Sequence, residues 1–132
     1  MTIIPEGFQT VTPYVFTDQS LEFASFLKRA FDATEVGRTI LNDGTIANLQ
    51  IRIGTVTMMV SEANQRYPAM PAAYYIYVEN ADDSMARAID AGASLELKVM
   101  DMSYGDRQGG VVDAFGNIWW ISQRLSDQPY FD

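Results

Sequence analysis

Three landmarks recur along this chain at nearly one spacing. Val15 and Val78, each closing an aromatic, β-branched run, lie 63 positions apart. Gly44 and Gly105, each in a polar turn, lie 61 apart, and Gly54 and Gly116 lie 62 apart. Offsets that agree within two residues, in the same order, argue for internal duplication of one supersecondary unit. At 132 residues the chain fits one globular domain, because two independent cores would be hard to stabilise at this length.

The repeated unit reads as strand, helix, then three strands. Gln9–Phe16 is rich in β-branched and aromatic residues and predicts a strand, with Pro13 marking an edge or a bulge. Over 20–31, Phe23, Phe26, Leu27, Ala30 and Phe31 recur at helical spacing. Asp18 or Ser20 can cap that helix, Glu22 suits its positive end, and Lys28 and Arg29 suit its negative end. Strands follow over 34–41, 46–53 and 56–62, separated by Asn42-Asp43-Gly44-Thr45 and by Gly54-Thr55. Residues 63–72, with Pro68 and Pro71, form a connector. The pattern then repeats as a strand over 73–78, a helix over 82–91 ending at Gly92, and strands over 94–101, 107–112 and 118–123. The modules span about 9–62 and 73–123, and the polar tail from Leu125 reads as loose.

Alternation within the strands gives each sheet two unlike faces. Leu49, Ile51 and Ile53 alternate with Asn48, Gln50 and Arg52, and Val56, Met58 and Val60 alternate with Thr57, Met59 and Ser61. Leu95, Leu97 and Val99 alternate with Glu96, Lys98 and Met100. The apolar face suits packing on the helices. The opposite face mixes polar, Met and aromatic side chains, which fits either a ligand cleft or an ordinary solvated face. The fold class is therefore α+β: two βαβββ modules forming a curled mixed sheet with the helices on its outer face.

The chain has neither histidine nor cysteine. That removes the commonest general base and transition-metal ligand, along with disulfides, thiolate sites and Cys nucleophiles. Nine basic against seventeen acidic residues give a net charge of −8, which argues against a nucleic-acid partner. No apolar run approaches the roughly 20 residues that cross a bilayer, and the N-terminus lacks the pattern of a signal peptide, so a cytoplasmic location is expected. Gly109-Gly110 has neither the spacing nor the following helix of a phosphate loop. Ser61 has no nucleophile elbow, and no carboxylate pair with acid–base spacing can be identified.

Seven blocks, in order, resemble the vicinal oxygen chelate superfamily, and most closely its PhnB-like, glyoxalase-like branch. They are Ile4-Pro-Glu-Gly7, Thr10-Val-Thr-Pro-Tyr14, Phe26-Leu-Lys-Arg-Ala-Phe31, Ile51-Arg-Ile-Gly54, Tyr77-Val-Glu79 with Asp82, Tyr104-Gly-Asp-Arg107 and Asp113-Ala-Phe-Gly-Asn-Ile-Trp119. The superfamily includes glyoxalases, bleomycin-resistance proteins, fosfomycin-resistance enzymes and extradiol dioxygenases. The resemblance implies the glyoxalase/bleomycin-resistance fold, the architecture already read from the repeat. It also implies a divalent metal held by His, Glu or Gln from the first, fourth, fifth and eighth strands. Here those positions fall at Gln9, at Met59, Ser61 and Glu62, near Ala73 and Tyr75, and at Trp120. Only Gln9 and Glu62 have metal-ligating side chains, so the expectation is no metal and no cofactor. Asp113-Ala114 replaces the usual Asp-Pro and alters only the turn.

The expected function is metal-independent binding of a small, aromatic molecule or antibiotic, as the bleomycin-resistance branch implies, in a homodimer. The expected ligand-binding residues are Gln9, Gln50, Arg52, Met59, Tyr75, Tyr77 and Trp120, with no catalytic residue. Tyr75, Tyr77 and Trp120 would supply aromatic walls, while Gln50 and Arg52 would anchor a carbonyl or carboxylate unless Arg52 pairs with Glu96. Trp119 and Ile121 have the opposite parity and should pack beneath a helix, and Arg107 should brace a hairpin. Two alternatives stand: a divergent metal-dependent lyase, glyoxalase-like or dioxygenase-like enzyme using Gln9 and Glu62, and an interaction module whose cleft is filled.

Overall fold

The structure is a computed structural model describing residues 1–132. It contains β1 (Tyr14–Thr17), α1 (Ser20–Phe31), β2 (Thr34–Ile40), β3 (Ile46–Ile53) and β4 (Val56–Glu62). The second half contains β5 (Ala73–Tyr77), α2 (Ala81–Asp90), β6 (Ser94–Asp101), β7 (Asp106–Val112) and β8 (Ile118–Arg124). The chain divides into two compact units, Met1–Pro71 and Ala72–Asp132. Each unit holds one four-stranded mixed sheet, in the orders β1-β4-β3-β2 and β5-β8-β7-β6. The first strand of each unit pairs parallel with the last, and the remaining pairs are antiparallel. This is the α+β, βαβββ architecture expected from the repeat.

In the first unit α1 packs on β1, β3 and β4. Its apolar stripe buries Phe23, Leu27 and Ala30 completely, against fully buried Leu49, Ile51 and Val60. Phe26 and Phe31 meet edge to face, with centroids 5.9 Å apart. Leu49 pairs with Val60 and Ile51 with Met58, so the expected phase of both strands holds. The opposite face is not fully solvated, because Thr57 and Ser61 are buried there as well.

Two local expectations need correction. β1 begins at Tyr14 rather than Gln9. Pro13 has no N–H to give a ladder, and its carbonyl instead accepts the Met59 N–H at 3.0 Å, at the strand's threshold. α1 is capped by neither Asp18 nor Ser20. Gln19 occupies the N-cap position without a side-chain bond. The Glu62 carboxylate takes that role from the end of β4, accepting from the Ser20 N–H at 3.1 Å and the Ser20 hydroxyl at 2.6 Å. The connector docks on the first sheet, where Met70 N–H bonds the Phe16 carbonyl at 3.0 Å and Tyr67 stacks on Phe16.

In the second unit α2 packs on β6, β7 and β8. Asn80 caps it by accepting the Asp83 N–H at 3.1 Å. The Asp82 carboxylate does more than face the helix dipole, because it pairs with Arg107, which also binds Asp101. Arg107 thereby ties the start of α2 to the β6–β7 hairpin, a bracing role. The turn 113–117 is built on Asp113, whose carboxylate accepts the Phe115 N–H, the Asn117 N–H and the Trp119 indole N–H at 2.8–2.9 Å.

The alternation expected of β6 fails. Leu95 is half exposed, and the pairing with β7 slips twice, between Leu95 and Leu97 and between Leu97 and Met100. Each slip inserts a residue and reverses the phase beyond it. Val99 therefore faces Gly109 on the helix side, while Leu97 faces Gly110 on the other. The two adjacent glycines explain how this strand fits. A Cβ on Gly109 would lie 2.8 Å from the Met85 side chain of α2, and one on Gly110 would lie 2.6 Å from the Trp120 ring. One glycine admits the helix, and its neighbour admits an indole flat against the opposite face.

Candidate functional site

On the face of the second sheet away from α2, register places Tyr75 opposite Trp120 and Tyr77 opposite Ser122. Trp120 in turn pairs with Gly110, Ser122 with Gln108, and Arg124 with Asp106. Trp119 and Ile121 are buried on the helix side, with Tyr74 stacked on Trp119 at 4.6 Å. The expected inward and outward assignment of the last strand therefore holds.

At the centre lies Asp106, fully buried. A buried carboxylate needs several donors. Asp106 Oδ2 accepts from the Tyr75 hydroxyl and, at 2.6 Å, from the Tyr130 hydroxyl. Its Oδ1 accepts from Arg124 Nη1 at 2.9 Å. Burial alone would raise this carboxyl's pKa, yet the bonds from Tyr130, Tyr75 and Arg124 outweigh it and hold the group below the ordinary aspartate value. Burial, and then the bond to Asp106, push the Tyr75 phenol up. Tyr130 is pushed up by the same two causes in the same order. The group is thus an ionised carboxylate surrounded by neutral phenols.

A second chain of bonds runs beside it. Tyr104 donates its hydroxyl to Gln108 Oε1, and Gln108 Nε2 donates to Ser122 Oγ at 2.9 Å. Tyr130 closes the cluster from the tail, which is therefore not loose. Its ring lies over the Arg124 guanidinium at 4.2 Å from centroid to Cζ, and its oxygen lies 2.6 Å from the Tyr77 hydroxyl. Because Tyr130's only proton goes to Asp106, Tyr77 is the donor in that pair.

The seven expected binding residues separate into groups. Tyr75, Tyr77 and Trp120 share the face just described. In the first unit Gln50 and Met59 are register partners, beside a Tyr14–Phe16 stack at 4.9 Å. The Tyr14 hydroxyl lies 2.7 Å from Ser61 Oγ, and Asn48 donates to it at 3.2 Å. Gln9 and Arg52 instead grip backbone. Gln9 Nε2 donates to the Val11 and Thr57 carbonyls at 2.9 and 3.2 Å. Arg52 Nη1 donates to the Gly7 carbonyl at 2.9 Å, and that carbonyl also accepts the Thr57 hydroxyl. Arg52 is therefore tied to the segment before β1.

The positions that would hold the superfamily's metal do not fit one. Glu62 caps α1, the Gln9 amide bridges two backbone segments, and Trp120 and Ala73 offer no ligating side-chain atom. Nowhere do three acidic side chains converge as a cage for an ion.

Sequence reasoning missed Tyr104, Asp106, Gln108, Ser122, Arg124 and Tyr130. Most of them carried a signal. Asp106 adjoins Arg107, so strand parity alone puts it on the face opposite that bracing arginine. Tyr130 carried none, because the tail has no period from which to infer where it docks.

Among curated proteins, Mb0911c of Mycobacterium bovis is 30% identical, with 89% of this chain and 84% of that protein aligned. Rv0887c of Mycobacterium tuberculosis is 30% identical over 89% of this chain and 75% of its own length. The chain belongs to the family of these mycobacterial proteins. No family model matches it. Its fold is that of the vicinal oxygen chelate superfamily. TioX from Micromonospora superposes with a TM-score of 0.71 at 22% identity, covering 87% of this chain and 99% of that one. A PhnB protein from Bacillus cereus gives 0.69 at 15%, with 87% and 99% covered. A glyoxalase/bleomycin resistance/dioxygenase family enzyme from Burkholderia phytofirmans gives 0.69 at 17%, with 85% and 95% covered.

Proposed function

We propose that this family member is a metal-independent binding protein for small, planar aromatic molecules, and that the open face of the second sheet carries the binding. The supporting observation is the pair of Trp120 and Tyr75 side by side, with Gly110 leaving room for the indole and the Tyr75 hydroxyl reaching the buried Asp106 carboxylate. Aromatic surface supplies affinity by stacking, and the carboxylate with its phenols fixes orientation. Ligands with a hydrogen-bond donor fit this centre better than anions do, since Asp106 is itself negative. Asp106 is a poor general base, because its charge is stabilised by three donors and its pKa lies below the usual value.

Calorimetric titration with 2-naphthol tests the reading. Binding should be saturable, and it should be unchanged by a chelator or by added Zn, Ni or Co. Trp120→Ala should weaken it by about 1–3 kcal/mol, the range for losing a stacked aromatic anchor. Absence of binding, or binding that requires one of those metals, would sink the proposal.

A further inference from the structure

The tail places a side chain of the chain itself where an aromatic ligand would sit. Residues 125–132 carry neither helix nor strand. Leu125 is still fixed to the hairpin, its N–H bonding the Gly105 carbonyl at 2.9 Å. Beyond it, Arg124 Nη2 holds the Gln128 carbonyl at 2.6 Å, and Tyr130 reaches Asp106. Phe131, the next residue, stands 87% exposed. The segment from 126 onward is thus a short arm held by one carbonyl and one phenol.

The Tyr130 phenol has the contacts expected of a bound guest. Its hydroxyl donates to a fully buried carboxylate and accepts from Tyr77. One ring face covers a guanidinium, and the ring meets Tyr104 at an angle of 62°. Removing it leaves Asp106 with Tyr75 and Arg124 and opens one acceptor position on Oδ2, which water or another donor can fill. A phenol fills that position and also covers the Arg124 face, which water cannot do. An anion would meet the Asp106 charge, whereas a neutral phenol would reproduce every one of these contacts.

We infer that residues 126–132 form a displaceable strap, and that Tyr130 holds the place of a neutral phenolic ligand whose hydroxyl takes over the bond to Asp106 while its ring takes over the Arg124 face. This rests on the proposed aromatic-binding function and names the ligand class for the same face. A strap tethered by so few residues competes at an effective concentration of about millimolar. If it is shut about nine-tenths of the time, apparent ligand affinity falls about tenfold.

The experiment uses the full chain and 4-ethylphenol, with 4-ethylanisole as the matched probe lacking a donor. Affinity is read by NMR titration, and strap release by the amide signal of Phe131. Tyr130→Ala should bind 4-ethylphenol about tenfold tighter than the parent chain. Tyr130→Phe, which keeps the ring and loses the hydroxyl bond, should fall between them and serves if the alanine variant does not fold. In the parent chain the Phe131 signal should move toward its position in Tyr130→Ala as 4-ethylphenol saturates. The ether should bind at least about tenfold more weakly, having no proton for Asp106. Equal affinities in parent and variants, with saturable binding, would overturn the strap and leave aromatic binding intact. Equal binding of phenol and ether would overturn the role of Asp106. No binding of either probe to any variant, together with no binding of 2-naphthol, would overturn both.

Discussion

The two units share one topology and use their open faces differently. In the first, the polar side chains mostly seize backbone: Arg52 the Gly7 carbonyl, Gln9 the Thr57 carbonyl, Ser61 the Ala47 carbonyl. In the second they converge on one side chain, Asp106. Each face is also met by a terminal segment. The arm before β1 is fastened through the Gly7 and Pro13 carbonyls and the Gln9 amide, and the tail after β8 through the phenol of Tyr130 and the Gln128 carbonyl. Main-chain anchoring at several points makes a brace, whereas a single aromatic side chain makes a contact that a ligand can imitate. The same topology thus carries two differently fastened faces, of which only the second has a fully buried carboxylate at its centre.

The sharpest way to break this comparison lies within β8, where adjacent tryptophans serve opposite faces. Trp119 is 2% exposed and bonded to Asp113, so Trp119→Ala should destabilise the protein by about 3–5 kcal/mol. Trp120→Ala should leave the urea midpoint much closer to that of the parent chain. A reversal of these phenotypes in urea unfolding would place the binding surface on the wrong side of the sheet.

A smaller effect separates the two helices. α2 is capped by its own Asn80, whereas α1 depends on Glu62 from the far end of its sheet. Asn80→Ala should cost about 1 kcal/mol, within the usual range for an N-cap. Glu62→Ala should cost about 1–2 kcal/mol, because it also strands the Ser20 hydroxyl at a buried position. Neither loss should depend on divalent metal in thermal unfolding. Stabilisation of the parent chain by Zn, Ni or Co that vanishes in Glu62→Ala would return that carboxylate to the role of a ligand.

Local pattern made most of the fold legible. The helix over 20–31 has the bounds that its apolar spacing implies, and β3 and β4 keep the expected phase because their pairing is unbroken. The alternation of β6 does not reveal its two slips, which lie opposite Gly109 and Gly110, where bulky groups approach β7 from both sides. The aromatic half of the candidate site followed from parity in β5 and β8. Its polar centre did not, since the donors to Asp106 come from 31 positions upstream and from 18 and 24 downstream. Glu62 shows the same limit: nothing within its own strand indicates that its partner is the start of α1.

The smallest effect concerns pH and the strap. Tyr130 faces Asp106, Tyr75, Tyr77, Tyr104 and Arg124. Its pKa is raised by burial and by the carboxylate, so its contribution is fully present below the free phenol value of about 10 and is lost as pH rises through the higher folded value. Ionisation would remove the proton that Asp106 accepts and set two anions side by side, which the Arg124 charge only partly offsets. Asp106 shifts the other way. Its contribution is present above the unfolded aspartate value of about 3.9 and is lost as pH falls through the lower folded value. The strap should therefore stay docked between these limits and release beyond either one. The first unit lacks an equivalent buried carboxylate beneath its arm, where the anchors are a guanidinium, an amide and carbonyls. The Phe131 amide signal should thus hold its docked position from about pH 5 to 9, between the two free values, and drift toward the released position only as pH moves beyond them, while the Gly7 amide stays in place until global unfolding. Release of both segments at a common pH would mean that the two terminal arms are fastened alike.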